Sequence, residues 1–360
     1  EGPDYWSYGF GNYVVLAHLL QVRSGGQIDL LDDAQVHDIA RFPVRTVVTQ
    51  GIWVSFSDSD SNPSFQPGLL SHLAERLDLP ALTGLGVEND FVVESFNQFA
   101  WPLRQYCWPL PEGDSVFGGT AHDWYAEMGW MIGRLDPAEP GSLRLAAKGG
   151  HNDEMHNQND VGSFMVVSGG KVVLIDPGRG RYSKAYFGPE RYGNLMASSR
   201  GHSVPVVNGH EQAAGRDHAA RVLHHSHDAS GDRLELEMAA AYPATAGLKS
   251  LRRSLSLDRA TPRGRVLLED RFAFAGSAGQ LQSVLVTPLA VSAGEGRIAI
   301  GGAGGGVIVD YDADALDVSL DRHERVEKQY QPAIDLTRVV FTPRQQSREG
   351  SLALTISPLA

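Results

Sequence analysis

The feature that most constrains this chain is a change of texture near Pro109. Before it, apolar residues recur at spacings of three and four. After it, short β-branched and aromatic runs follow one another with no helical segment between them. Phe10, Tyr13, Val14, Ala17 and Leu20 lie on one face of a helix expected over residues 8–22, which Gly25-Gly26 ends. A second helical segment is expected from about Leu31 to Gln50. Residues 55–67, rich in Ser, Asp, Asn and Pro, read as a polar loop. Leu69, Leu70, Leu73, Ala74 and Leu77 then restore helical spacing until Pro80, and residues 92–101 predict a short helix ended by Pro102.

Beyond Pro109, Gly, Asp, Asn or Pro clusters separate most of a long series of short strands, from residues 124–132 to residues 352–356. Strands in such numbers without intervening helices predict an antiparallel sandwich rather than a parallel α/β sheet. The Gly-rich run 301–306 reads as a hairpin loop; no helix follows it and it lacks Lys, so it is no phosphate cradle. The expected organisation is α+β, with a helical domain over 1–115 and an antiparallel domain over 116–360.

Composition narrows the function. Acidic residues outnumber basic ones 43 to 31, a formal charge of −12 over 360 residues. That disfavours a general nucleic-acid or anionic-membrane binder. No apolar run approaches the roughly 20 residues of a membrane span. At 42% hydrophobic the chain can bury a large core, and its one cysteine, Cys107, excludes a disulfide framework or a Cys-rich metal site. No Gly-x-Ser-x-Gly elbow occurs.

Eight of the thirteen histidines fall between His151 and His227. The block from Lys148 to Phe164, which includes His151 and ends His156-Asn-Gln158-Asn-Asp160-Val-Gly-Ser-Phe164, sets dense polar residues before an apolar strand, and Asp176-Pro-Gly178 follows the next one. Two readings stay open: a solvated Asn/Asp-rich turn, or a site on which 156, 158 and 160 share one face. Arg179, Arg181, Lys184, Arg191, Arg200 and His202 then form a basic stretch in an acidic chain. It is either an anion-binding surface or an ordinary exposed loop matched by nearby carboxylates. His224, His225 and His227 read as a surface strand and loop and receive no role, with opportunistic metal binding as the alternative. At the other end, Tyr5, Trp6 and Tyr8 sit at the mouth of the first helix. A tyrosine there packs half-buried, or transfers protons if nearby cations lower its pKa from about 10.

Taken together, Glu1-Gly-Pro-Asp-Tyr-Trp-Ser-Tyr-Gly9, the 156–164 block, Ile175-Asp-Pro-Gly178 and Ser199-Arg-Gly-His202 resemble the heparinase II/III-like polysaccharide lyases. The resemblance spans residues 1–212. It implies the C-terminal part of an incomplete α/α toroid followed by a large antiparallel β-sandwich. It also implies cleavage of uronic-acid polysaccharides (heparin or heparan sulfate, alginate or related chains) by β-elimination. In such a reaction a base takes the C5 proton of a uronate, an acid protonates the departing O4, and neutralising the carboxylate stabilises the enolate-like intermediate. By the resemblance Tyr8 and His156 transfer protons, with Tyr5 second to Tyr8. Tyr5, Tyr182, Arg191, Tyr192 and Arg200 would bind substrate.

The resemblance further implies one divalent metal, zinc or a calcium-like ion, held by Gln158, Asp176 and His202, and no organic cofactor. Gln158 stands where related enzymes carry histidine, and an amide oxygen suits a harder cation than zinc. The alternative for Asp176 and His202 is a hydrogen-bonded pair joining strands. The expected partner is an acidic polysaccharide, in the periplasm or outside the cell, with no nucleic acid and no membrane span. An upstream helical segment is expected to precede residue 1. Rival readings are a catalytically silent carbohydrate-binding relative or inactive fragment, and a sugar-processing metalloenzyme.

Overall fold

In the computed structural model, residues 2–85, 100–109, 119–136, 141–302 and 304–359 are described. Two compact units divide the chain: Glu1–Val54 with Ser59–Thr120, and Ser55–Asp58 with Ala121–Ala360. The boundary expected at 115/116 lies outside the described residues, as do most of residues 92–101.

In the first unit, helix α1 (Pro3–Arg23) starts earlier than its periodicity suggests, because Pro3 needs no N–H partner in a first turn. It buries Trp6, Val14 and Ala17. The segment expected as one helix over 31–50 is instead three things. Helix α2 (Ala34–Ala40) is capped by the Asp33 carboxylate, which accepts the Gln35 N–H at 2.8 Å. Helix α3 (Phe42–Arg45) follows, then a hairpin of β1 (Val47–Thr49) and β2 (Ile52–Trp53). Pro43 restarts the helix, and the β-branched run Val47-Val48-Thr49 favours the extended form. Helix α4 (Pro67–Arg76) and helix α5 (Ala100–Cys107) complete the unit among the described residues. Pro102 falls in the first turn of α5, where proline is tolerated, so it does not end the helix. Trp6, Leu69, Leu70, Leu73 and Trp101 share one core.

The second unit is antiparallel throughout, as the sequence predicts. A five-stranded sheet holds β3 (His122–Tyr125), β4 (Trp130–Arg134), β5 (Arg144–Lys148), β7 (Phe164–Ser168) and β8 (Lys171–Leu174) in that order, while β6 (His151–Asn152) pairs with β10 (Gly215–Ala219). The single strand expected over 124–132 is therefore a hairpin, turning at residues 126–129 where Gly129 takes φ +64°. An eight-stranded sheet runs β11 (Arg221–Asp228), β12 (Gly231–Glu237), β13 (Leu248–Asp258), β14 (Arg265–Phe274), β21 (Glu349–Pro358), β18 (Gly305–Asp310), β17 (Arg297–Gly302), β16 (Val291–Gly294). The Gly-rich run is the β17–β18 hairpin end, with Gly301 opposite Gly306. A four-stranded sheet adds β19 (Leu316–Val326), β20 (Ile334–Pro343), β15 (Leu281–Thr287) and β9 (Val206–Val207).

One apolar cluster joins these sheets: Met131, Leu145, Phe164 and Val166 meet Leu236, Leu255, Leu268, Phe341 and Leu354. Each such side chain contributes about 1.5–3 kcal/mol when fully buried. The clearest departure from the sequence reading is residues 55–60, which open the expected polar loop yet are buried at every position. Phe56 stacks edge-on to Trp130 at 5.0 Å, and Ser55 Oγ donates to Asp176 O at 2.6 Å. These contacts make Ser55–Asp58 part of the β unit.

Candidate active site

Asp58 is fully buried, and five side chains converge on its carboxylate. Oδ1 accepts from Tyr186 Oη at 2.6 Å, Gln158 Nε2 at 3.0 Å and Arg191 Nη2 at 3.2 Å. Oδ2 faces His156 Nδ1 at 3.0 Å and accepts from Arg191 Nη2 at 3.1 Å and Tyr182 Oη at 3.3 Å. Burial alone would raise the Asp58 pKa. The His156 hydrogen bond, the Arg191 charge and the Tyr186 and Gln158 hydrogen bonds outweigh it and hold the carboxyl below its ordinary range. Asp58 is a carboxylate.

A carboxylate can only accept, so His156 Nδ1 carries the proton and Nε2 is the atom left to exchange one. The His156 side chain is 21% exposed. Ser57 and His156 both take left-handed backbone, at φ +60° and +56°. Each departure costs about 1–3 kcal/mol and persists where surrounding contacts enforce it, commonly at functional sites. Tyr186 is pushed above its ordinary pKa by burial and by the Asp58 charge, so it stays a donor and is no base.

Aromatic rings wall the site. Tyr182 lies 6.3 Å from His156 and 4.7 Å from Phe187, ring centre to ring centre, and Phe187 is 57% exposed. Arg191 covers the Tyr186 ring at 4.3 Å. Tyr182 also lines a cavity of about 580 Å³ with Arg181, Asn194 and Glu327, within the range of small-ligand sites. The 156–164 block itself is buried polar chain held by buried partners. Asn159 N–H donates to Ala197 O at 2.9 Å, Ser199 Oγ to Asn159 O at 2.7 Å, and Arg191 Nε to Asn157 O at 2.8 Å. The solvated-turn reading of that block therefore fails.

Behind the block lies a second buried cluster. His202 Nδ1 faces Asp176 Oδ2 at 3.0 Å and His202 Nε2 faces Met196 O at 2.9 Å. Ser163 Oγ donates to the same Asp176 oxygen at 3.0 Å, and Lys148 Nζ lies 2.7 Å from Asp160 Oδ1. Burial would lower Lys148, but the Asp160 and Glu154 carboxylates override it and hold the ammonium above its ordinary value. Burial would likewise lower His202, and Asp176 raises it instead.

The remaining sequence candidates divide. Tyr192 Oη accepts from Asn157 Nδ2 at 3.1 Å, at the edge of the Asp58 cluster. Arg191, expected to bind substrate, spends its guanidinium on Asp58. Arg200 pairs with Glu211 at 3.1 Å and Arg181 with Glu327 at 2.9 Å, so carboxylates match much of the basic stretch. Tyr5 and Tyr8 lie on α1 in the first unit, where Tyr8 is 65% exposed. The packing role is thus excluded for the Tyr8 ring.

Residues 118–348 match the family model described as heparinase II/III-like, C-terminal. The chain belongs to the heparinase II/III-like family. Three solved structures share its fold. The heparan sulfate lyase from Pedobacter heparinus is 15% identical with a TM-score of 0.70, over 99% of this chain and 52% of that one. A heparinase III is 12% identical with a TM-score of 0.68, over 98% and 53%. The chondroitin AC lyase of Streptomyces coelicolor A3, solved with chondroitin sulphate, is 12% identical with a TM-score of 0.53, over 98% and 53%. This heparinase II/III-like chain thus spans about half the length of these structures. No curated protein sequence matches it.

The donors present bear on the zinc site that the resemblance implies. A zinc-bound imidazole needs a nitrogen lone pair, and both His202 nitrogens face acceptors. Gln158 Nε2 is turned to Asp58 and to Gly178 O at 2.8 Å. Two carboxylates, Asp160 and Asp176, are already matched by Lys148 and the imidazolium. As hydrogen-bonded here, His202 offers zinc no imidazole lone pair, although one ligand atom each from Asp160, Asp176 and His202 lies within 4.8 Å of the others. Sequence reasoning missed Asp58 and Tyr186, and gave Lys148, at the start of the polar block, no role of its own. The signal for Asp58 was weak: a Phe inside the polar run Ser55-Phe-Ser-Asp58, a hint that the run is buried.

Proposed function

We propose that this chain is the C-terminal part of a polysaccharide lyase that cleaves a uronic-acid-containing polysaccharide (heparin or heparan sulfate, alginate or a related chain) by β-elimination. The observation that carries the reading is the His156–Asp58 pair. A buried carboxylate fixes the imidazole's tautomer and orientation, which suits a group that must take and return a proton. His156 Nε2 moves the proton at C5 of the uronate. Tyr8 keeps the role the resemblance implies, as the second proton-transfer group. Phe187 and Tyr182 offer flat apolar faces to a pyranose ring. Arg191 acts through Asp58 and is a positioning residue, while Tyr5, Tyr192 and Arg200 remain candidates for substrate contact. No step is routed through a metal.

A lyase of this kind works where its polymer is, which supports a periplasmic or extracellular location. Among the described residues no helix is long and apolar enough to cross a membrane.

The test is ultraviolet absorbance of the C4–C5 unsaturated product on heparan sulfate, alginate and chondroitin sulfate, using the chain in its longest natural form. His156→Ala should lower kcat about 10²–10⁴-fold with the fold intact. Polysaccharide binding without any unsaturated product would instead establish the catalytically silent relative.

A further inference from the structure

His122, His225, His227 and Asp232 form a cluster that the proposed chemistry does not use. Nδ1 of His122 and Nδ1 of His227 each lie 2.7 Å from the same oxygen, Asp232 Oδ1. The two rings stack at 4.4 Å with 9° between their planes. One potential ligand atom from each of these three residues lies within 4.8 Å of the others. We propose that His122, His227 and Asp232 form a zinc site that clips the edges of two sheets together.

The elements make the placement specific. His122 opens β3, the edge strand of the five-stranded sheet, whereas His227 is on β11, the edge strand of the eight-stranded sheet. Asp232 sits on β12 directly opposite His227 in register. Ligands therefore come from both sheets, and an ion held by all three links them.

Zinc binds imidazole nitrogen at about 2.0–2.1 Å and carboxylate oxygen at about 2.0–2.2 Å, so neighbouring tetrahedral ligands stand roughly 3.3 Å apart. The two stacked rings cannot both hold one ion in plane as they stand, so binding turns the exposed His227 ring out of the stack and toward Asp232 Oδ1. Asp232 is buried and anchored: Arg259 Nη2 holds its other oxygen, Oδ2, at 2.6 Å, which leaves Oδ1 directed at the imidazoles. A Cβ on Gly133 would come within 2.6 Å of that same Oδ2, so the strand beside it is shaped to admit the carboxylate. The His227 side chain is 40% exposed, which gives an ion its entry and a water the fourth position.

His225 supplies the outer support. Its Nε2 lies 3.0 Å from His122 Nε2, the nitrogen on the far side of the ring from Asp232. A hydrogen bond there fixes the His122 tautomer with its Nδ1 turned to the metal, a recurring arrangement behind metal-bound histidines. Trp124 stacks flat on His225 at 4.0 Å and holds it in place. Two imidazoles, a carboxylate and a water are a borderline-soft set that suits zinc over calcium or magnesium.

The test uses the untagged full chain, stripped by chelator and titrated with zinc sulfate. Bound metal is read by elemental analysis and Tm by differential scanning calorimetry. Wild type should take up a zinc equivalent and gain Tm. His227→Gln, at a solvent-facing position that should not disturb folding, should lose that equivalent and the Tm gain, with an unchanged circular dichroism spectrum. His225→Ala should keep the stoichiometry and weaken affinity about 10–100-fold. No uptake by wild type, or full uptake retained by His227→Gln, would overturn the proposal. The second result would place the ion elsewhere, for instance beside Asp176.

Discussion

At the scale of single residues the site turns on Asp58. Asp58→Asn keeps the shape but loses the charge that organises His156, Arg191 and two tyrosines. The variant should lose about a hundredfold to ten-thousandfold in kcat, with KM changed far less. It should also lose stability in a pH-dependent way. The folded pKa of Asp58 lies below its unfolded value, so its contribution is whole above about pH 4 and fades as pH falls through the folded value. The stability gap between wild type and variant should therefore be flat near neutrality and close in acid; a gap that persists unchanged in acid would mean packing, not charge. Chelation is the companion experiment: with His202 donating through both nitrogens, chelator should leave kcat unchanged even where it lowers Tm. Loss of turnover restored by added calcium or zinc would reverse that. The approach of His202 to Asp176 was legible because their motifs are local and ordered along the chain. Asp58 was not, because 98 positions separate it from His156, and a single sequence carries no sign of which distant carboxylate an imidazole meets.

At the scale of elements, periodicity found α1, α4 and the strand-rich remainder, since each buries one regular face. It failed where two short elements share one apolar run, as in α2, α3 and β1, and where a polar segment is buried by its partners, as at 55–60. Helix α4 carries its own pH sensor. His72 stacks on Trp108 at 4.1 Å, and burial, then His18 and Arg76, lower its pKa to about 4. The unfolded chain, with a value near 6.5, binds that proton more readily. Stability from this group is thus complete above about pH 6.5 and falls as pH drops toward 4. His72→Phe, which keeps a flat ring against Trp108, should flatten that loss in urea denaturation followed by tryptophan fluorescence. An equal acid slope in the variant would assign the effect to other groups.

At the scale of the whole β unit, one buried ion pair ties the sheets to the site. Arg253 on β13 meets Asp270 on β14 through two parallel hydrogen bonds of 2.8 Å, and Ser283 on β15 donates to Asp270 at 2.9 Å. The pair lies within the eight-stranded sheet and reaches the four-stranded one through Ser283. Arg253 Nη1 also donates to Gly162 O at 2.9 Å and Ser203 O at 2.6 Å, the ends of the segments that carry His156 and His202. All five hydrogen bonds are buried, so removing the arginine leaves the Asp270 charge with only the neutral Ser283 hydroxyl among these partners. Arg253→Met should cost about 3–5 kcal/mol, because it strands a carboxylate in the core. For a unit of this size that is a fall in Tm of roughly 6–20 °C. Adding Asp270→Leu should recover most of the loss, since two apolar side chains fill the space without an uncompensated charge. Arg253→Met should also loosen the 156–164 block and lower kcat, and the double variant, still lacking the bonds to Gly162 and Ser203, should regain Tm without regaining full kcat. Recovery of both together would mean that the pair only stabilises the sandwich and does not hold the site in place.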